Sequence, residues 1–369
     1  MSRAYLDHAS TAPLRAEVRE AMLPFLTSAF GDPGRLHAEG RVTRVALEEA
    51  REQVAQFFDA RPREIVFTSS GTEAVNTAVF GALARRPGHA VVTAVEHSSV
   101  RDALARGAAS LTVVGVDRVG RFSVEDVVGA VQPDTTLVSV QLANHEVGTV
   151  QPAAEVCAAL RDRDVLVHVD ACAAAGHLAV LFHGLDADLC SVTAHKFGGP
   201  VGAGALLVRR GLRLPQFIVG GAQERARRGG IENVPAWIGM GAACVAVDLE
   251  AEAAAQQALI ERAAAGALGV ARVERYGDGS LPNLLCLGIA GVEAEPVLLA
   301  LDQNGVAVHS GSSCSSETLE PSPVLQAMGV DGERSLRVSV GWSTTTEDVD
   351  RFVQVFPGIV ERLRGLRSP

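Results

Sequence analysis

The stretch Ser191-Val-Thr-Ala-His-Lys-Phe-Gly-Gly-Pro200 decides the organisation of this chain, because a short apolar strand here leads to a lysine followed by glycines. Lys196 is the only lysine among 369 residues, and all other basic side chains of the Lys/Arg type are arginine. A lysine amine loses its proton when it is partly desolvated and then acts as a nucleophile or base, whereas arginine stays protonated. A Schiff base with a carbonyl cofactor or substrate is the obvious task, and chance survival of one lysine is the alternative.

The composition is that of an ordinary soluble protein with one or two domains. Hydrophobic residues make up 47% of the sequence and charged residues 21%. The formal net charge of −10 argues against general nucleic-acid binding. No apolar run approaches the length of a membrane span, and residues 1–10 show no signal-peptide pattern, so we expect a cytoplasmic protein.

Seven short apolar runs alternate with helical patterns in the first part of the chain. They lie at 64–68, 90–95, 111–116, 136–142, 165–169, 189–192 and 205–208. Buried strands bounded by helices predict an α/β fold with a mostly parallel seven-stranded sheet. The Ala-rich stretch 237–265 is predicted as one helix that leads into a smaller α+β domain. The expected boundaries are 15–245 for the large domain and 1–14 with 246–369 for the small domain.

Polar side chains follow four of these strands at the points where the strands end. They are His97, Asn144, His145, Asp170 and Lys196. Because ligands of parallel sheets bind at the carboxyl ends of the strands, we expect these side chains to share one crevice. An Asp opposite a Lys fits pyridoxal phosphate, whose pyridine nitrogen the carboxylate keeps protonated. As alternatives, Asp170 caps the segment that follows it, and His97 is an ordinary histidine at a strand end.

The turn Ser69-Ser-Gly-Thr-Glu73 joins the first of these strands to a helix. Backbone N–H groups and the helix dipole converge at such a turn, which makes it a candidate phosphate site. A plain turn capped by Ser or Thr is equally consistent with the pattern.

Six cysteines occur, and none shows C-x-x-C or metal-ligand spacing, so we expect free thiols and no metal. Five lie among apolar or small residues, which is typical of burial. Cys314 lies instead in His309-Ser-Gly-Ser-Ser-Cys-Ser-Ser-Glu317, a polar run that favours an exposed and functional thiol. Arg337, on a later strand, either binds a substrate carboxylate through two parallel hydrogen bonds or forms a surface ion pair.

Motifs spread over nearly the whole chain resemble the cysteine desulfurases, pyridoxal-phosphate enzymes of the class V aminotransferase group. These motifs are Tyr5-Leu-Asp, Phe30-Gly-Asp-Pro, Glu64-Ile-Val-Phe-Thr-Ser, Gly71-Thr-Glu, Glu96-His97, Asn144-His-Glu-Val-Gly, His168-Val-Asp, His195-Lys196, Glu232-Asn-Val-Pro and Ser310-Gly-Ser-Ser-Cys. The resemblance implies fold type I, a homodimer and the substrate L-cysteine. The run around Cys314 resembles the long-loop subgroup, which passes sulfur to scaffold or tRNA-modifying proteins.

The resemblance also implies a role for each candidate residue. The catalytic set is Lys196, Cys314 and His97, the cofactor-binding set is Gly71, Thr72, His97, His145, Asp170, Thr193, His195 and Lys196, and the substrate-binding set is Arg337 and Asn144. Lys196 carries the cofactor and later moves the substrate α-proton, while Asp170 binds the pyridinium and His97 stacks on the ring. Cys314 takes the sulfur as a persulfide for iron–sulfur assembly or tRNA thiolation, and L-alanine leaves.

Three positions depart from the family pattern. His145 stands where an asparagine contacts the cofactor ring hydroxyl, Ala173 replaces a glutamine, and Ile231 replaces a threonine. Each lost polar contact is expected to cost on the order of 1 kcal/mol, and donation from His145 to the ring oxygen would compensate. Two alternatives stay open: another class V enzyme, such as a lyase, aminotransferase or epimerase, that uses no persulfide, and a catalytically weakened sulfur-transfer scaffold.

Overall fold

A seven-stranded sheet forms the centre of the larger part of the molecule. The computed structural model describes residues 3–310 and 322–366. The strands in these ranges are β1 (Ala4–Tyr5), β2 (Ile65–Thr68), β3 (His89–Thr93), β4 (Ser110–Val114), β5 (Thr135–Gln141), β6 (Leu166–Asp170), β7 (Leu189–Thr193), β8 (Gly204–Val208), β9 (Val273–Tyr276), β10 (Leu284–Ile289), β11 (Val306–Ala307) and β12 (Ser335–Ser339).

Helices cover the faces of this sheet and of a smaller one. In the same ranges they are α1 (Ala16–Thr27), α2 (Ala38–Phe57), α3 (Gly71–Arg85), α4 (Ser98–Gly107), α5 (Val124–Gly129), α6 (Ala153–Leu160), α7 (Phe182–Leu185), α8 (Gln223–Ala226), α9 (Val234–Ala246), α10 (Leu249–Leu268), α11 (Ala294–Gln303), α12 (Pro323–Ala327) and α13 (Thr346–Gly365).

The strand order of the large sheet is β2-β8-β7-β6-β5-β3-β4. Strand β8 runs antiparallel to both of its neighbours, and the other pairs are parallel. Most of these strands are buried along their whole length, because helices pack on both faces and favour Val- and Leu-rich sequences. The predicted α/β fold with a mostly parallel seven-stranded sheet is confirmed.

A second hydrophobic core surrounds the three-stranded antiparallel sheet β12-β10-β9. This core also contains Ala4 and Leu6, because β1 pairs in parallel with β11. The chain therefore starts in the second core, enters the large sheet, and returns to the second core near α10. The boundaries at 14/15 and 245/246 stay predictions.

The prediction of one helix over 237–265 is wrong. Helices α9 and α10 meet at an angle of 79°. Val247 has an extended backbone, and the side chain of Asp248 accepts a hydrogen bond from the N–H of Ala251, which caps the new helix. Within 3–310 and 322–366 no single helix is long and apolar enough to cross a membrane, and only this bent pair meets both criteria together.

Candidate active site

A cleft of about 390 Å³ opens where the parallel strands of the large sheet end. The predicted site residues that line it are Gly71, Thr72, His97, His145, Asp170, Thr193, His195, Lys196 and Arg337. Residues of β6, β7 and the start of α3 form one wall, and β12 supplies Arg337 from the second core. The carboxyl ends of the strands thus bring together most of the side chains that the sequence singled out.

The amino terminus of α3 forms one end of the cleft. The hydroxyl of Ser70 accepts a hydrogen bond from the N–H of Glu73 (3.1 Å), and the carboxylate of Glu73 accepts one from the N–H of Ser69 (2.8 Å). A Cβ atom at Gly71 would lie 2.5 Å from the sulfur of Cys172, so any side chain here would displace Cys172 or the start of α3. Gly71 and Thr72 thus face the cleft from the first turn of a long helix, where amide donors and the dipole attract a phosphate.

Asp170 ends β6 with its side chain buried in the cleft wall. Its Oδ1 accepts a hydrogen bond from the N–H of Cys172 at 3.0 Å. This bond fixes the carboxylate at the strand end, where a ring nitrogen of a bound ligand can meet it.

Glu96 is a buried carboxyl near Asp170 that the sequence did not single out as a site residue. Its Oε1 accepts hydrogen bonds from the N–H of Gln141 (2.9 Å) and from the hydroxyl of Thr93 (2.5 Å). Burial, together with the charge of Asp170, raises the pKa of Glu96 to about 8. A protonated Glu96 places no second negative charge near Asp170. The available signal was a charged residue directly after an apolar strand.

His97 and His145 pack edge to face in the cleft lining, with ring centroids 5.1 Å apart and planes at 72°. The Nδ1 atom of His97 accepts a hydrogen bond from the N–H of Ser99 (3.1 Å), so the neutral ring carries its proton on Nε2. Burial lowers the pKa of His97, and the neighbouring His145 and Lys196 lower it further. A neutral imidazole in this position can stack on a ligand ring or transfer a proton.

His195 precedes Lys196 and is also held as a neutral ring. Burial and the adjacent Lys196 lower the pKa of His195 to about 4. Its Nδ1 lies 3.2 Å from the hydroxyl of Thr11. The segment before α1 therefore helps to fix the residues around Lys196.

Arg337 is buried at the junction of the two cores. Its Nη1 donates to the backbone carbonyl of His145 (2.9 Å), and its Nη2 donates to Asp7 (2.9 Å) and Ser10 (2.8 Å). Its Nε has no hydrogen-bond partner within the described ranges. These bonds hold the guanidinium rigidly and leave its Nε–H without a protein acceptor, which suits a ligand carboxylate.

Asn144 does not line the cleft, although the resemblance placed it at the substrate. The side chain is fully buried; its Oδ1 accepts from the N–H groups of Glu146 and Val147, and its Nδ2 donates to the carbonyl of Val95. It therefore stabilises the turn that presents His145, and the geometry gives no support to a substrate contact.

The three departures from the family pattern lie in different surroundings. His145 and Ala173 line the cleft, and both also line a small inner cavity beside Lys196. Ile231 is 68% exposed and lies outside the cleft lining. The first two therefore affect the cleft directly, and the third does not do so within one chain.

Cys314 lies outside the described residues, but the residues on both sides of 311–321 lie near the cleft. His309 lines the cleft. The hydroxyl of Ser322 donates a hydrogen bond of 2.5 Å to the carboxylate of Glu146, next to His145. Cys172 is the cleft-lining thiol within the described ranges, and burial, then Asp170, raise its pKa well above the usual value, so it stays protonated.

The sequence matches the family model described as aminotransferase class-V over residues 4–352. The chain therefore belongs to the class V aminotransferases. Membership of this family implies pyridoxal phosphate as the cofactor. This match agrees with the fold and with the cleft around Lys196.

The relatives and solved structures narrow this assignment to the cysteine desulfurases. Cysteine desulfurase IscS of Dictyoglomus turgidum is 41% identical over 98% of this chain and 95% of its own length. Cysteine desulfurase IscS of Methanosarcina thermophila is 38% identical over 98% of this chain and 93% of its own length. A solved NifS-like protein superposes with a TM-score of 0.90 at 31% identity, covering 98% of this chain and all of the other. The structure of SspA in complex with cysteine superposes with a TM-score of 0.83 at 29% identity, covering 93% of this chain and all of the other.

Proposed function

We propose that this chain is a pyridoxal-phosphate-dependent cysteine desulfurase that converts L-cysteine to L-alanine and carries the sulfur as a persulfide on Cys314. The observation that carries the proposal is the single cleft in which Lys196, Asp170, Arg337 and the start of α3 converge. The names of the relatives and the cysteine bound to SspA support the same reaction.

The residues of the cleft fit pyridoxal phosphate. The amide groups in the first turn of α3 would bind the phosphate, and Thr72, Thr193 and His195 line the same cleft. Asp170 would hold the pyridine nitrogen, and the neutral ring of His97 would stack on the cofactor ring. When bound, the cofactor supplies an aldehyde that combines with amines and a ring that accepts electrons from the substrate.

The protein groups orient the substrate and move its protons. Arg337 binds the substrate carboxylate through its unpaired Nε, which turns the α-carbon towards Lys196. The amine of Lys196 takes the proton from that α-carbon and later returns a proton to the product. Because Glu96 is protonated, Asp170 carries the negative charge that would pair with the pyridine nitrogen.

Sulfur transfer uses Cys314 rather than Cys172. The thiolate of Cys314 attacks the substrate sulfur; an S–S bond forms, the Cβ–S bond breaks, and its electron pair goes to the substrate Cβ, which takes up a proton. Cys314 is four residues from Ser310 in the sequence. A fully extended chain of four residues reaches about 14 Å. The protonated thiol of Cys172 is a poor nucleophile.

A homodimer and a protein sulfur acceptor complete the proposal. Large apolar side chains are exposed on neighbouring loops: Phe30 at 77%, Leu36 at 90%, Val201 at 79% and Ile231 at 68%. The side chain of Asn233 donates to the carbonyl of Gly202 (3.4 Å), which places the loops of Val201 and Ile231 side by side. A second copy would cover this surface. The acceptor is a scaffold for iron–sulfur assembly or a tRNA-modifying protein.

The test compares three proteins loaded with pyridoxal phosphate: the wild type, Cys314→Ala and the control Cys172→Ala. L-cysteine is added with a reductant, and alanine and sulfide are quantified. We expect the wild type and Cys172→Ala to form both products and Cys314→Ala to form almost none.

Other outcomes select the alternatives. Full sulfide release by Cys314→Ala would overturn the persulfide step and favour another class V reaction. A wild type that takes up no pyridoxal phosphate would favour a weakened scaffold protein.

A further inference from the structure

A second polar cleft lies at the opposite edge of the large sheet, where β5 and β6 begin and β8 ends. Its volume is about 260 Å³. The charged residues that line it are Arg85, Arg86, Arg163, Asp164, Arg209 and Arg210. This concentration of arginine stands out in a chain whose net charge is −10.

Two of the five arginines have carboxylate partners. Arg86 pairs with Asp164 (2.5 Å), and Arg209 pairs with the mostly buried Asp188 (2.5 Å). The guanidinium groups of the other three, Arg85, Arg163 and Arg210, make no hydrogen bond or ion pair within the part of the chain that the structure describes. The lining thus holds five arginines and one carboxylate, that of Asp164, so the cleft carries a net positive charge.

The lining of the same cleft also contains a buried hydroxyl group without a hydrogen-bond partner in the described ranges. Thr136 lines the cleft and is only 2% exposed, and its hydroxyl has no hydrogen-bond partner within 3–310 and 322–366. A buried hydroxyl without a partner costs free energy, and a ligand oxygen would satisfy it.

We propose that this cleft binds a small phosphate-bearing anion. Guanidinium groups bind phosphate oxygens through paired, charge-assisted hydrogen bonds, and several around one cleft raise the local anion concentration. The volume suits a phosphate or a compact phosphorylated molecule rather than an extended polymer. The cleft is separate from the cofactor site, because Leu166 lines it while Asp170 lies about 13 Å further along β6.

A purely structural explanation accounts for only part of the cluster. Arg85 lies in the last turn of α3, where a positive charge stabilises the helix dipole. Arg163 and Arg210 belong to loops that follow α6 and β8, and neither guanidinium group forms a hydrogen bond or ion pair in the described structure. A ligand explains these two residues, and the helix dipole does not.

The experiment is calorimetric titration of the cofactor-loaded protein with inorganic phosphate and with pyrophosphate, at constant ionic strength set by chloride. Loading keeps the cofactor's own phosphate site filled. We expect one saturable site per chain, with affinity reduced about tenfold or more in the double variant Arg163→Gln/Arg210→Gln. The matched control is Arg106→Gln on α4, an exposed arginine outside the cleft, which should bind like the wild type.

The comparison of two ligands and one further variant distinguish the possible results. Tighter binding of pyrophosphate than of phosphate would identify a diphosphate group as the ligand, and the reverse order would identify a monophosphate. Thr136→Val, which keeps the side-chain shape, should weaken binding severalfold. Absence of saturation, or equal affinity in the wild type and the double variant, would overturn the proposal. The titration measures binding and not desulfuration, so the two proposals fail separately.

Discussion

The two edges of the large sheet use charge in opposite ways. At the carboxyl edge the ionisable groups are buried and fixed by neighbours, and burial shifts their pKa values: up to about 8 for Glu96 and down to about 4 for His195. At the amino edge most of the ionisable groups are arginines at the end of α3 and in the neighbouring loops, and the guanidinium groups of three of them make no hydrogen bond or ion pair in the described structure. The same strands thus support a desolvated site for chemistry at one edge and an electrostatic surface at the other.

The largest effect is expected at the carboxyl edge, from Lys196→Arg. Arginine keeps a positive charge there but cannot give up its proton or combine with an aldehyde. Alanine formation from L-cysteine should fall about a thousandfold or more, while the free energy of unfolding of the cofactor-free protein changes little. If the variant kept a tenth of the activity, a positive charge alone would support the reaction, and the contrast between the two edges of the sheet would not hold.

The next effect is steric, from Gly71→Ala. The added Cβ would lie 2.5 Å from the sulfur of Cys172, so either Cys172 or the start of α3 must shift. We expect a loss of about 1 to 3 kcal/mol in the free energy of unfolding and weaker binding of pyridoxal phosphate. The double variant Gly71→Ala/Cys172→Ala removes the clashing sulfur and should recover most of both quantities. No recovery in the double variant would show that the constraint at Gly71 is not contact with Cys172.

Glu96→Gln tests the buried carboxyl through pH. A carboxyl whose pKa rises from 4.5 to about 8 on folding stabilises the protein below pH 4.5, and this contribution is lost as the pH rises towards 8. Glutamine mimics the protonated form at every pH. The variant should therefore match the wild type at pH 4.5 and exceed it by several kcal/mol, up to about 5 kcal/mol, above pH 8, as measured by urea denaturation. A difference that did not vary with pH would mean that Glu96 ionises normally.

The smallest effect is expected at the amino edge, from Arg85→Gln. Its exposed guanidinium makes no hydrogen bond or ion pair in the described ranges, and only the dipole of α3 and the more distant charge of Asp188 favour it. The free energy of unfolding should change by about 0.5 kcal/mol or less, and the change should shrink in high salt. A loss as large as that of Gly71→Ala would contradict the division between the two edges.

Much of the carboxyl edge was predictable because strand ends are visible in the sequence. Apolar runs end just before Asp170 and Lys196, and the rule for parallel sheets then brings the two residues together. The surroundings of Asn144 could not be read from the sequence, because its side chain fits a turn or a substrate equally well, and the fold places it in the turn before His145. The bend at Val247 was also not predictable, because an Ala-rich run favours helix on both sides of the break.

The contact between Asp7 and Arg337 joins residues 330 positions apart in the sequence. A ribosome adds about 5 to 20 residues per second, so Asp7 leaves the ribosome many seconds before its partner is made. The large sheet can pair its strands during that interval, because β2 to β8 are already synthesised. The guanidinium that faces the cleft arrives only near the end of translation. During synthesis the chain therefore acquires its cofactor-binding residues well before Arg337, the residue proposed to hold the substrate.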